Sequence, residues 1–257
     1  MDKFGEFLNL IRNDKNLIIT KDNSNEIFCR PKFGSKKIVR IPFNLLSELS
    51  FLAGVIVGDG HLTKDGKFRI TLDMTNKRLV NFIKLKFNKT FSLDLKLKKK
   101  LDKRQNRQTR WKIEFNNKVI WSLFNRLFKI PFGIKSDKVE IPDCIKEDIE
   151  CLKMFISGLF LADGDSKNGR ISFTCSSEKL FSDIKESLNR FNIFPFTSKW
   201  LHKKSKKIIF DVIIGKKDDI NIFKNTFPFV FFKLSRGCQV WSKAQEIDKD
   251  WRSLGVL

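Results

Sequence analysis

Two stretches of the chain end the same way. FLAGVIVGDG, Phe51 to Gly60, and FISGLFLADG, Phe155 to Gly164, both stop an apolar run at a carboxylate followed by glycine, and Asp163 follows Asp59 by 104 residues. The duplication extends past these runs. Each Asp-Gly precedes a turn signal, Lys64-Asp65-Gly66 or Lys167-Asn168-Gly169, with a strand pattern beyond it. In Lys67 to Met74, Phe68, Ile70, Leu72 and Met74 alternate with polar residues, and Arg170 to Ser176 repeats this with Ile171, Phe173 and Cys175.

Helical spacing follows in both halves, from Asn76 to Phe87 and from Ser177 to Phe191, so that RITLDMTNKRLVNFIK lies over RISFTCSSEKLFSDIK. A second strand pair comes next, Leu93 to Leu97 with Trp111 to Phe115 and Phe194 to Phe196 with Phe210 to Ile214, and a helix closes each unit, around Val119 to Phe128 and Asp218 to Phe227. Each half reads α, ββ, α, ββ, α. The expected division is an N-terminal extension over residues 1–48, helical over Lys3 to Arg12, then repeats over 49–140 and 141–257, the latter with a C-terminal tail. A lead-in is shared as well: FGSKKIVRIP, Phe33 to Pro42, resembles FGIKSDKVEIP, Phe132 to Pro142.

Ala53, Gly54 and Gly58 in one run, and Ser157, Gly158 and Ala162 in the other, allow two helix backbones to approach closely. Gly60 and Gly164 are suited to a left-handed helix stop, which puts Asp59 and Asp163 in the last turns. That is the negative end of the helix dipole, where a carboxylate is disfavoured by about 0.3–1 kcal/mol, and two such ends side by side repel. A divalent cation between them reverses the sign, and Mg²⁺ takes hard oxygen ligands, with only one or two carboxylates from the protein.

The charge points to a polyanion. The formal net charge is +22 and the isoelectric point about 9.9, well beyond what solubility requires. Lys96, Lys98, Lys99, Lys100, Lys103, Arg104, Arg107, Arg110 and Lys112 face a single acid, Asp102, within one hairpin, and Lys199, Lys203, Lys204, Lys206 and Lys207 occupy its counterpart. With Lys67, Arg69 and Arg170 on the polar strand positions, this pattern suits two β-ribbons lying in a major groove. The five cysteines are scattered and form no C-x-x-C pair, which excludes a disulfide framework or a zinc site and implies a reducing, intracellular setting. No signal segment opens the chain and no apolar run is long enough to span a bilayer, so no membrane partner is expected. There are 27 Phe and no Tyr, so no phenol is available for chemistry.

LAGVIVGDG and ISGLFLADG resemble the two signature helices of the LAGLIDADG homing endonucleases in their single-chain, two-repeat form, and the resemblance covers about residues 49–241. It implies an α+β fold in which two pseudo-symmetric αββαββα repeats pack through the signature helices, with antiparallel sheets forming a DNA-binding saddle. It also implies a monomeric, Mg²⁺-dependent, site-specific endonuclease of intron homing that cuts a long, asymmetric double-stranded DNA. Asp59 and Asp163 become the metal-holding acids, with the main-chain carbonyls of Gly58 and Ala162 assisting. The family's central lysines fall on IPFGIKSDK, as Lys138 or Lys135, and on FPFVFFKLSR, as Lys233. Asn76 and Ser177 are either water-orienting residues or N-caps, and Asp165 is an extra carboxylate in a turn or a helper. The alternatives are a maturase that binds intron RNA on the same scaffold and a DNA-binding regulator that does not cleave.

Overall fold

The computed structural model describes residues 3–23, 26–33, 37–42, 46–100 and 109–233. Helix α1 (Lys3–Arg12) leads into strands β1 (Leu17–Asp22), β2 (Glu26–Pro31) and β3 (Val39–Pro42), which form an antiparallel sheet in that order. The helix was expected and the sheet was not. Its alternating apolar positions, Ile27 with Cys29 and Val39 with Ile41, are completely buried, but they are too few for the pattern to stand out in the sequence.

The first repeat runs α2 (Leu46–Gly58), β4 (Gly60–Thr63), β5 (Arg69–Met74), α3 (Lys77–Phe91), β6 (Lys98–Lys100), β7 (Arg110–Asn116) and α4 (Lys118–Ser122). A π-helical turn, Leu123–Leu127, continues α4. The short α5 (Asp143–Lys146) then precedes the second repeat: α6 (Ile149–Asp163), β8 (Asp165–Lys167), β9 (Arg170–Cys175), α7 (Glu178–Arg190), β10 (Phe196–Leu201), β11 (Ile208–Ile214) and α8 (Lys217–Thr226). Both sheets are antiparallel and share one topology, β4-β5-β7-β6 and β8-β9-β11-β10. The fold is α+β with an internal repeat. Leu93 to Leu97 is not a strand, because only Lys98–Lys100 pairs with β7; Leu93, Leu95 and Leu97 still pack against the core.

Asn76 accepts a hydrogen bond from the Leu79 amide at 3.2 Å and Ser177 from the Leu180 amide at 3.3 Å, so both are N-caps. Behind each sheet lies an aromatic cluster. Phe87, Phe91, Phe124 and Phe128 make edge and tilted contacts in the first repeat, and Phe160, Phe173, Phe223 and Phe227 do so in the second. Phenylalanine suits these positions, since a buried phenol would need a hydrogen-bond partner there.

Between the repeats, α2 and α6 are apolar on all sides, with Leu49 to Val57 of α2 buried without a break, as expected of a helix with no solvent face. Their contact is made by backbone. A Cβ on Gly54 would stand 2.1 Å from the Phe155 carbonyl oxygen, and one on Gly158 would stand 2.1 Å from that of Phe51. The contact is reciprocal, as an approximate two-fold axis requires. At its lower end a Cβ on Gly58 would lie 2.5 Å from the Ala162 Cβ, so the gap holds one methyl group and the two repeats must differ there.

The expectation for Gly60 and Gly164 is corrected. Gly164 is extended (φ −65°, ψ 160°) and Gly60 has no positive φ. Glycine is required instead for room, because a Cβ would meet the Ile56 backbone at 2.5 Å or the Phe160 ring at 2.2 Å. The positive-φ glycines are Gly66 and Gly169 in the hairpin turns, and Gly133.

Replacing Gly54 or Gly158 by alanine is expected to cost about 1–3 kcal/mol or more, since rigid backbone must move. Gly58→Ala should also destabilise, and adding Ala162→Gly should recover part of the loss. Denaturant melts of the two single variants and the double variant check this; additive losses at positions 58 and 162 would show that the methyl groups do not compete for one space.

Candidate metal and nuclease centre

Asp59 follows α2 directly, its amide donating to the Val55 carbonyl at 3.2 Å, and Asp163 is the last residue of α6. The helix packing brings the two acids together: a Cβ on Gly58 would lie 3.2 Å from the Asp163 Cβ. Both side chains reach solvent, yet the protein around them removes enough water to raise both carboxyl pKa values. Desolvation raises Asp59 to about 6, with repulsion from Asp163 adding to it and Lys233 and Lys135 opposing it. Asp163 is raised by desolvation against the pull of the same two lysines.

Those lysines answer the dipole problem. Lys135 extends to the end of α2 and its ammonium donates to the carbonyls of Ile56, Val57 (2.6 Å) and Gly58 (2.7 Å). Lys233 reaches α6 in the same way and donates to the carbonyls of Ala162 (2.8 Å) and Gly164. These carbonyls have no partner within the helix, and a cation there complements the negative dipole end. Burial lowers the Lys135 pKa to about 8 and lowers that of Lys233, while the aspartates pull both upward.

Of the alternatives Lys135 and Lys138, the structure thus brings Lys135 to the centre and leaves the Lys138 side chain exposed, one turn away. The sequence offered both at equal spacing from their counterparts, and only the path of the chain separates them. The carbonyls of Gly58 and Ala162 each already accept a lysine proton, so a metal there would share them. Asp165, the first residue of β8, is exposed and paired with Lys167 at 2.9 Å, and does not join the carboxylate pair. The histidines lie elsewhere: His61 on the solvent side of β4 and His202 in the β10–β11 turn, bonded to Ser205.

Two carboxylates, with carbonyl oxygens beside them, form an all-oxygen donor set that fits a hard divalent cation. Among the described residues no group of three or more His, Cys, Asp or Glu gathers to hold a metal, so the side-chain donors here are the two carboxylates. Desolvation pushes the Cys29, Cys151 and Cys175 thiols up to about 12, so they remain protonated.

The basic residues divide by face. In the first sheet Ile70, Leu72 and Ile113 point to the core, leaving Arg69, Asp73, Lys98, Lys100, Arg110, Lys112 and Glu114 on the open side. Arg110 donates to Asp73 at 2.7 Å, Lys112 pairs with Glu114, and Lys98 and Lys100 approach these acids at 3.6 and 3.8 Å. Arg69 bonds Asp65 at 3.0 Å, and Lys67 and Lys96 are exposed beside the strands. Lys99 pairs with Trp111 and therefore takes the opposite face. Arg104 and Arg107 lie outside the described residues.

In the second sheet Arg170 is on the open face, and Lys203 and Lys204 stand exposed in the β10–β11 turn. Lys199 pairs with Phe210, whose ring contacts Phe181 of α7. That places Lys199 on the helix-covered side, away from Arg170, because strand side chains alternate. No described helix is long and apolar enough to cross a membrane.

The raised Asp59 pKa has a sign that can be measured. In the folded state its carboxyl holds a proton up to about pH 6, against about 3.9 when unfolded. The stability it contributes is therefore complete below pH 4 and lost as pH rises through 6. Without metal, Asp59→Asn should gain stability relative to the parent chain between pH 4 and 6, and added Mg²⁺ should raise the melting temperature of the parent more than that of the variant. A parent-minus-variant difference that is flat with pH would contradict a raised Asp59 pKa.

Residues 150–227 match the LAGLIDADG-like domain model, and residues 48–110 match the WhiA LAGLIDADG-like domain model. The replication factor C small subunit of Methanocaldococcus jannaschii is 33% identical over 182 residues, which are 71% of this chain and 9% of that protein's length. Among solved structures, I-DmoI in complex with DNA and Mn shares the fold with a TM-score of 0.52 at 15% identity, covering 72% of this chain and 98% of that one. The homing endonuclease I-WcaI bound to its DNA recognition sequence has a TM-score of 0.52 at 20% identity, covering 75% and 88%. Two matched domains, two signature helices and one shared architecture lead to the same assignment: this chain belongs to the LAGLIDADG proteins, in the single-chain, two-repeat form.

Proposed function

We propose that the protein is a site-specific DNA endonuclease that hydrolyses phosphodiesters of a long, asymmetric duplex with the help of Mg²⁺ or a similar divalent cation. The observation that carries this reading is the pairing of Asp59 with Asp163 at adjacent helix ends, each end also bearing its own half-buried lysine. Asp59 and Asp163 would hold the cation, with Gly58 and Ala162 carbonyls beside them. When bound, such an ion stabilises charge on the phosphate and activates water.

The chain's own part is electrostatic placement. Lys135 and Lys233 keep two ammonium groups at fixed points on either side of the acids, where preorganised donors stabilise developing oxyanion charge without reorganising. A Lys135 pKa of about 8 leaves that side chain mostly charged at neutral pH. Two matching half-centres suit a substrate with two strands. The open faces of the sheets would lie over the duplex, and their unlike residues suit a target without two-fold symmetry. Solved neighbours in complex with DNA support double-stranded DNA as the partner.

A second reading, a DNA-binding protein that does not cleave, draws on the match of residues 48–110 to the WhiA model. Cleavage decides between them. With Mg²⁺ and a duplex selected by binding, Asp59→Asn and Asp163→Asn should each abolish double-strand cutting and leave binding within a few-fold. Lys135→Met and Lys233→Met should slow cutting by more than they weaken binding. Binding without cutting by the unaltered chain would favour the second reading.

Electrostatics gives an independent check. Binding should weaken with salt at a log–log slope near −0.9 for each phosphate neutralised. Replacing Lys98 and Lys100 by alanine should flatten it by up to about two units, measured by isotherms at several salt concentrations.

A further inference from the structure

The two open faces are chemically unlike, although the repeats superpose strand for strand. With Trp111, Ile113 and Phe115 set against Phe210, Val212 and Ile214, Arg110 corresponds to Ile209, Lys112 to Asp211 and Glu114 to Ile213. Following the pairing outward, Lys98 corresponds to Ser198 and Lys100 to Trp200. On the inner strand Asp73 becomes Thr174, while Arg69 keeps its charge as Arg170. Five of these six charged positions of the first sheet thus carry apolar or neutral residues in the second, and the sixth reverses its charge as Asp211.

Much of what replaces the charges is apolar and partly open to solvent. Trp200 is 46% and Phe196 is 58% exposed, and Ile209 and Ile213 are half-buried on the same face. Trp200 is held there by polar contacts. Its indole N–H donates to Asp211 at 2.8 Å, and Asp211 also accepts from Thr174 at 2.7 Å and from Ser198 at 3.3 Å. The carboxylate oxygens are thereby occupied by neutral donors of the protein, and they fix the Trp200 ring on the face.

We propose that this face reads thymine. Resting on the duplex-DNA reading above, Trp200, Phe196, Ile209 and Ile213 contact thymine C5-methyl groups in the major groove of the half-site under the second sheet. The occupant follows from the match of faces. A major groove offers only one apolar group on its base edges, the thymine methyl. The basic residues that would hold phosphates stand at the borders of the patch, Arg170 and Lys167 on one side and Lys203 and Lys204 at the hairpin tip. Cations at the rim and apolar side chains between them match phosphates flanking a methyl-rich groove floor. The first sheet, with Arg110 and Lys112 in equivalent places, would take polar base edges instead. The target is therefore asymmetric in chemistry as well as sequence, with one half read by charge and the other by methyl contact.

The experiment uses the full chain and a pool of random duplexes, from which bound sequences are enriched and one is resynthesised with deoxyuridine for thymidine in either half. Uracil keeps every hydrogen bond of thymine and lacks only the methyl. Substitution in one half should weaken binding by about fourfold for each methyl buried, and substitution in the other half should have little effect. Trp200→Ser and Ile213→Ser, both at exposed or half-exposed positions, should abolish the preference for thymidine over deoxyuridine in the sensitive half. Equal indifference to uracil in both halves, or an unchanged preference in both variants, would overturn the thymine reading and leave DNA binding standing. Failure to enrich any duplex would overturn the DNA reading and this one with it.

Discussion

Everything at the centre of this molecule depends on two helices touching through their backbones. At Gly54 and Gly158 each helix places a carbonyl where any Cβ of the other would lie, so the interface has almost no side chain to absorb an error. This tight contact also fixes the spacing of the two acids. Asp59 and Asp163 are one turn beyond these glycines, and a change in helix spacing would move both acids. Stability and the geometry of the carboxylate pair are therefore set by the same atoms.

The arrangement carries an electrostatic cost, which is offset locally. Helix carbonyl ends and two carboxylates concentrate negative charge in a desolvated place; desolvation raises both carboxyl pKa values, and repulsion from Asp163 adds to it at Asp59. Lys135 and Lys233 relieve the carbonyls by direct hydrogen bonds, and they reach the carboxylates only through space. Among the described residues no direct ion pair neutralises the acids or competes with a cation for their oxygens. A lysine bonded to the aspartates themselves would lower the repulsion further and block that position.

Much of this was legible in the sequence because the repeat made each weak signal count twice. The order of elements, the buried strand positions and the two acids all follow from registering one half on the other. What escaped the sequence depended on contacts between distant segments. Lys135 and Lys138 have the same spacing pattern with Lys233 and Arg236, and nothing local tells which one turns inward. Gly60 and Gly164 look like left-handed stops, but the demand on them comes from Ile56 and Phe160 one turn back. Lys199 belongs to a basic run by composition, and strand pairing puts it on the opposite face from Arg170. The N-terminal sheet was missed because its strands are short and have no second copy for reference.

The repeat also explains where the halves had to diverge. At position 58 and its partner 162, one space is shared across the axis, and two methyl groups cannot fill it, so Gly58 and Ala162 are a single packing solution divided between two repeats. On the sheets no such shared space exists, because their open faces do not meet. There Lys100 and Trp200, or Arg110 and Ile209, can differ without any cost in packing. A covalently joined pair is thus constrained jointly where the axis runs and is free to vary away from it, so the two open faces can differ chemically within one duplicated fold.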